Sequence, residues 1–209
     1  GSVDVARAAI AHGVSRFVYV SSVAALYTGA DVEGGEIDDS TATDPRPELR
    51  PIYSRGKIAA EQALLELHRK EGLPLVITRP GIVLGAGTAM QHSGYGLWTR
   101  DNHCIGWGHG DKAIPGVWVD DVADAFKRIV EYKGNDLHGQ ALNLCARPKI
   151  TPTEYVNELG RVTGRALHFH PRALWLSQAM EIGKWIVKKA GRRAGLEFPS
   201  WRDLKSREL

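Results

Sequence analysis

Cysteine is scarce: Cys104 and Cys145 are the only two among 209 residues. Two thiols do not make a disulfide framework, so a cross-linked secreted scaffold is excluded and a reducing cytoplasm is the expected compartment. Long apolar runs are missing too. None approaches the roughly 20 residues of a membrane span, and the N-terminus lacks the basic-then-apolar layout of a secretion signal. Charge of one sign is nowhere in large excess, since 27 Lys and Arg face 24 Asp and Glu for a net of +3. A sequence-wide basic field is therefore absent, and no nucleic-acid partner is expected. The surplus sits in the tail, where nine basic residues face four acidic ones from His170 onward. There is no internal repeat and no low-complexity tract. What remains is an ordinary globular composition, 43% hydrophobic and 24% charged. It suffices for one substantial core, or one domain with a smaller appendage.

Helical and strand patterns alternate along this chain. Residues 2–12 read as a helix stopped by Gly13, and "RFVYVSS" (16–22) as a strand covered on both faces. A polar, acidic loop, "DVEGGEIDDSTATDPRPELRP", leads to a helix that begins near Tyr53. "LPLVITRP" (73–80) is a second buried strand, with Gly72 marking the helix end before it. Residues 81–112 are Gly-rich and show little periodicity. Short strands are expected at 114–119, 139–145 and 166–170, and a helix at 120–132 with Asp120 and Asp121 as its cap. Thr151, Pro152 and Glu154 spell a capping box with proline at the first helical position. A last long helix is expected over 172–190. Strands separated by helices imply parallel pairing through crossovers, so the fold class is α/β.

"PIYSRGKIAAEQALLEL" (51–67) carries the chemistry. Ile58, Ala60, Ala63, Leu64 and Leu67 recur at helical spacing and form a packing face. Tyr53 and Lys57 lie one turn apart at the start of that helix and belong to no such face. A phenol titrates near ~10, so serving as a base at neutral pH requires roughly 4 kcal/mol of help. A neighbouring cation supplies about one third of this up to the whole.

"RFVYVSSVAALY", "PIYSRGKIAAEQAL", "RPGIVLGAG" and "WVDDVADA" resemble, in order and spacing, motifs of the extended short-chain dehydrogenases/reductases. These are the nucleotide-sugar epimerase/dehydratase-like enzymes, and the resemblance runs from residue 1 to about residue 165. It implies the later half of a Rossmann-type parallel sheet, over 1–87 and 113–147. A small α+β substrate-binding part would occupy 88–112 and 148–209. It further implies an NAD- or NADP-dependent oxidoreductase or epimerase acting on a nucleotide-sugar-like small molecule. Tyr53 would be the acid/base, with Lys57 its tuner and the clamp on the nicotinamide ribose. Ser22, or next Ser21, would orient the substrate oxygen. Ser21, Pro80, Gly81 and Ile82 would line the coenzyme together with Tyr53 and Lys57. In sugar epimerases that hydroxyl lies four residues before a tyrosine, and the count back from Tyr27 lands on Val23. Steroid and flavonoid reductases use the second serine of the pair, which fits Ser22. A reductase or 3-hydroxysteroid-type dehydrogenase on a lipid-like substrate is therefore the alternative, and a non-catalytic cofactor-sensing protein the second. Relatives also imply a homodimer through the Tyr–Lys helix.

The phosphate-cradling G-x-G-x-x-G pattern is found nowhere in these residues. In the family it sits on the first strand, so this chain resembles the later half of an enzyme, and alone it is expected to be inactive. No metal centre is expected. His168 and His170 would share a strand face, but no third ligand stands at a familiar spacing. In the tail, Lys184, Lys188, Lys189, Arg192 and Arg193 crowd the end of an amphipathic helix. Either they answer the helix dipole, or the 172–193 segment lies on an anionic membrane surface.

Overall fold

In chain order the elements are α1 (Ser2–Ala11), β1 (Phe17–Val20), α2 (Ile52–Glu71), β2 (Leu75–Pro80), β3 (Ile82–Leu84), β4 (Gly96–Trp98), β5 (His103–Gly106), β6 (Gly116–Trp118), α3 (Val119–Glu131), β7 (Ala141–Leu144), α4 (Pro152–Thr163) and β8 (His168–His170). This computed structural model describes residues 1–27, 37–99, 102–145 and 150–173, and beyond them only positions 175, 179, 183 and 187. The basic helix expected over 172–190 thus falls almost wholly outside the described residues. The chain divides into two units, Gly1–Ala86 with Pro115–Arg147, and Gly87–Ile114 with Pro148–Leu209.

In the first unit β1, β2 and β7 form a parallel sheet in that order, with Phe17 opposite Leu75 and Ile77 opposite Ala141. Parallel neighbours need long crossovers, and here α2 and α3 lie within them. The centre is β2, all six of whose residues are buried. Its Leu75 and Ile77 meet Leu64 and Leu67 of α2 and Ala6 of α1 in one apolar core. Each large side chain buried this way contributes roughly 1.5–3 kcal/mol. On α3, Val122 and Ile129 are buried two turns apart, and the helix packs on β1, β3 and β6. β3 and β6 make a second, two-stranded parallel pair. Gly13 and Gly72 end α1 and α2 at φ +62° and +73°, a left-handed turn that side chains resist.

In the second unit β4 and β5 pair antiparallel, and β5 pairs parallel with β8. Thr151 caps α4 by accepting from the Glu154 N–H, and Glu154 reaches back to the Thr151 N–H at 2.8 Å.

The α/β class and the parallel pairing agree with the sequence. Three readings need correction. β1 is only half-buried, with Val20 42% exposed, because it lies at an edge of the described sheet. Residues 81–112 hold three short strands, which carry too few residues to show alternation. Asp120 and Asp121 are not the cap of α3. The helix already begins at Val119 behind Trp118, so both aspartates lie inside the first turn, where their charge complements the helix dipole.

Candidate active site

Tyr53, Lys57 and Glu61 stand four residues apart and form one row along α2. The row passes from solvent to core: Tyr53 is 59% exposed, Lys57 is half-buried and Glu61 is fully buried. Lys57 Nζ donates to the carbonyl oxygen of Val20, the last residue of β1, at 2.7 Å. Its ammonium lies 5.7 Å from the centre of the Tyr53 ring and 5.4 Å from that of Tyr19. One of its three protons is spent on Val20, which leaves two for a ligand. Burial, followed by the nearby Glu61 and Tyr53, pushes the Tyr19 phenol above its ordinary value.

The serines follow directly from that strand end. Ser21 is buried, and its N–H donates to Thr78 O at 2.7 Å. Its hydroxyl is buried without a hydrogen-bond partner. Ser22 caps the 3-10 turn Val23–Ala25, its oxygen accepting from the Ala24 N–H at 3.2 Å, so its own proton remains free to donate. Val23 is the first residue of that turn.

Pro80 ends β2, and Gly81 and Ile82 lead into β3. The Gly81 N–H donates to Leu144 O and the Ile82 N–H to Pro115 O, at 3.0 and 2.7 Å. Both donors are therefore occupied, so this stretch meets a ligand only through carbonyl and side-chain atoms. A Cβ on Gly81 would sit 1.8 Å from Pro115 O, so this glycine is required by a close backbone crossing.

Sequence reasoning missed what anchors the row. Arg79 of β2 reaches both carboxylate oxygens of Glu61, through Nε at 3.1 Å and Nη2 at 2.7 Å. Its Nη1 donates to Thr41 O at 3.3 Å. The signal was present: an arginine inside an otherwise apolar strand needs a buried partner of opposite charge. The acidic loop is likewise sewn over the serine turn. Arg50 donates to Ala24 O at 3.1 Å and the Asp44 N–H to Ala25 O at 3.0 Å. The end of β1, the start of α2 and the end of β2 are thereby held together.

A family model described as the NAD dependent epimerase/dehydratase family matches residues 1–145. The chain belongs to that family. Over 87 residues it is 32% identical to a UDP-glucose 4-epimerase of Vibrio cholerae, which covers 42% of this chain and 25% of that protein. Among solved structures it resembles a UDP-glucuronic acid 4-epimerase from Bacillus cereus in complex with UDP-glucuronic acid and NAD. That likeness has 17% identity and a TM-score of 0.66, over 83% of this chain and 54% of the other. It also resembles the RMD protein of Pseudomonas aeruginosa complexed with NADPH, at 22% identity and a TM-score of 0.61, over 81% and 57%. At these identities the likeness shows the fold. The chain spans a quarter of the length of the epimerase it matches in sequence, and just over half of these solved relatives.

The residues at this strand end offer polar groups that could hold part of the coenzyme for which the family is named. The Lys57 ammonium is bound to the last carbonyl of β1 with the exposed Tyr53 ring 5.7 Å from it, and Ser22 follows that strand end, while the Ser21 hydroxyl is buried. The glycine pattern that would hold a pyrophosphate is not in the sequence, so the fit stops there.

Proposed function

We propose that this protein is an NAD(P)-dependent oxidoreductase or epimerase that acts at a carbinol carbon of a nucleotide-sugar-like small molecule. The observation that carries this reading is the Lys57 ammonium, anchored on Val20 O beside the Tyr53 ring at the serine-bearing end of β1. Tyr53 Oη exchanges the proton of the substrate hydroxyl. Lys57 places a positive charge beside that phenol and offers its spare protons to ribose hydroxyls. Ser22 donates to the substrate oxygen, and Ser21 is the second candidate. Pro80, Gly81 and Ile82 flank the coenzyme. NAD or NADP, when bound, supplies the hydride chemistry. The segments 88–112 and 148–209 form the substrate-binding portion. The sugar-nucleotide class is supported by two of the matched relatives, which are UDP-sugar epimerases by name.

A second reading, a reductase on a steroid- or flavonoid-like substrate, is favoured by Val23. It occupies the position where sugar epimerases carry their hydroxyl.

The test is Tyr53→Phe in a full-length protein. Turnover should fall by about 10²–10⁴-fold while coenzyme still binds. Undiminished turnover would remove Tyr53 from the chemistry. A wild-type protein that binds coenzyme yet turns over neither UDP-sugars nor hydroxysteroids would instead be a cofactor sensor. Titrated by itself in a calorimeter, the 209-residue chain should bind NAD(H) and NADP(H) only weakly, because it lacks the pyrophosphate grip.

A further inference from the structure

We propose that His103 and His170 form a binding site for one divalent transition ion of the zinc, nickel and copper class. The pairing of β5 with β8 sets His103 opposite His168 and Ile105 opposite His170. Along β8 the side chains alternate: His168 and His170 are exposed, while Phe169 turns to the other face. There the Phe169 ring lies so close to Gly106 and Gly110 that a Cβ on either would come within 2.3 or 2.2 Å of it. This fit fixes which way β8 faces. Both histidines of β8 are thereby held on the side of the sheet that carries His103.

His103 Nδ1 lies 2.7 Å from His170 Nε2, with the rings 4.9 Å apart and tilted by 40°. Two imidazoles at that distance share a proton, so one lone pair already points at the other ring. Metal–nitrogen bonds of about 2.0–2.1 Å place two ligating nitrogens roughly 3.0–3.4 Å apart. For an ion to replace the shared proton the rings need to part by a few tenths of an ångström and to tilt so that both lone pairs converge on one point. His168 stacks on His103 at 5.1 Å and 26°, which limits how that ring can turn.

The two rings border an open cleft of about 570 Å³, also lined by Thr99, Ile105, Pro171 and Arg172. Water can complete the coordination shell from the open side of the cleft. Among the described residues no group of three or more His, Cys, Asp or Glu is placed to hold a metal. On the described residues the site is thus a two-ligand one. Arg172 lines the cleft and, among the described residues, no carboxylate does, a donor set that suits ions preferring imidazole rather than calcium or magnesium. Linear spacing could not reveal the pair, because its members lie 67 residues apart.

Zinc titrated calorimetrically into the full chain should bind at one equivalent with micromolar affinity. Either His103→Gln or His170→Gln should weaken binding by about tenfold or more, while His168→Gln should change it far less. Copper(II) bound to the unaltered chain should show nitrogen couplings from two imidazoles in its paramagnetic resonance spectrum, a readout that does not depend on any variant folding. Binding that survives both ligand substitutions, or a spectrum without two imidazole nitrogens, would overturn the site. A His168→Gln loss as large as that of His103→Gln would overturn the two-ligand assignment.

Discussion

Arg79 meets both carboxylate oxygens of Glu61, at 3.1 and 2.7 Å, with the two side chains 6% and 0% exposed. The pair ties α2 to β2 one turn beyond Lys57 and one residue before Pro80. It therefore fixes the rotation of the helix that carries Tyr53. Leaving either charge buried alone is costly, so Glu61→Gln or Arg79→Met should lower stability by about 3–5 kcal/mol. The double variant Glu61→Leu/Arg79→Met should recover much of that loss, because no unpaired charge remains. Urea midpoints decide it. Single variants that unfold at the unaltered midpoint would show that the pair does not hold α2.

Lys57→Met keeps the aliphatic stem and removes the bond to Val20 O. The half-buried position should limit the cost to stability to about 1–2 kcal/mol. In a full-length protein the loss of activity should be far larger, about 10²–10⁴-fold. Lys57→Arg should restore stability better than activity, since a planar guanidinium cannot present its protons as an ammonium does. Parallel measurement of kcat/KM and unfolding midpoint separates the two effects. Equal, small losses in both would reduce Lys57 to a tether.

The Tyr53–Lys57 pair is legible in the sequence because a four-residue spacing on a helix is a local matter. Gly72 and the Thr151–Glu154 box are legible for the same reason, as each end signal lies within one turn. Glu61 was hidden among the apolar residues of its own helix face. Its partner lies 18 residues away on another element, and strand register chooses it. That two serines follow a strand is legible, but their different surroundings are not. Only the geometry shows that Ser22 caps a turn while the Ser21 hydroxyl is buried without a partner. β4 and β5 escaped notice because their pairing needs Gly96 and Gly106 to bring backbones and a phenyl ring close, and such glycines read as loop.

Gly81→Ala tests the backbone crossing between the end of β2 and Pro115. The new Cβ would come within 1.8 Å of Pro115 O. That carbonyl also accepts the Ile82 N–H, so moving it away breaks a bond of the β3–β6 pair. Overpacking of this kind typically costs about 1–3 kcal/mol, and the loss should appear as a lower thermal midpoint. Gly56→Ala, on α2 with open space at its Cβ, should be neutral or slightly stabilising. Equal midpoints for the two alanine variants would mean that 115 yields freely.

Cys104 lies fully buried in β5, and burial pushes its thiol up to about 11. In the unfolded chain a thiol titrates near ~8.5. Below that pH both states hold the proton, and the full contribution of the neutral thiol is present. Between roughly pH 9 and pH 11 the unfolded state releases the proton while the folded state keeps it. Stability should therefore fall as pH rises through this window, with a contribution approaching about 1.4 kcal/mol per pH unit from this one group. Cys104→Ala should lower stability near neutral pH by leaving a cavity, and the deficit should shrink as pH rises because the alkaline slope is flattened. Urea midpoints from pH 8 to pH 10.5, taken as the difference between the two proteins, isolate the thiol from tyrosines and lysines that titrate in the same range. Parallel curves would show that burial does not hold that proton. The same burial should shield the sulfur, so at pH 8 an alkylating reagent should mark the exposed Cys145 well before Cys104.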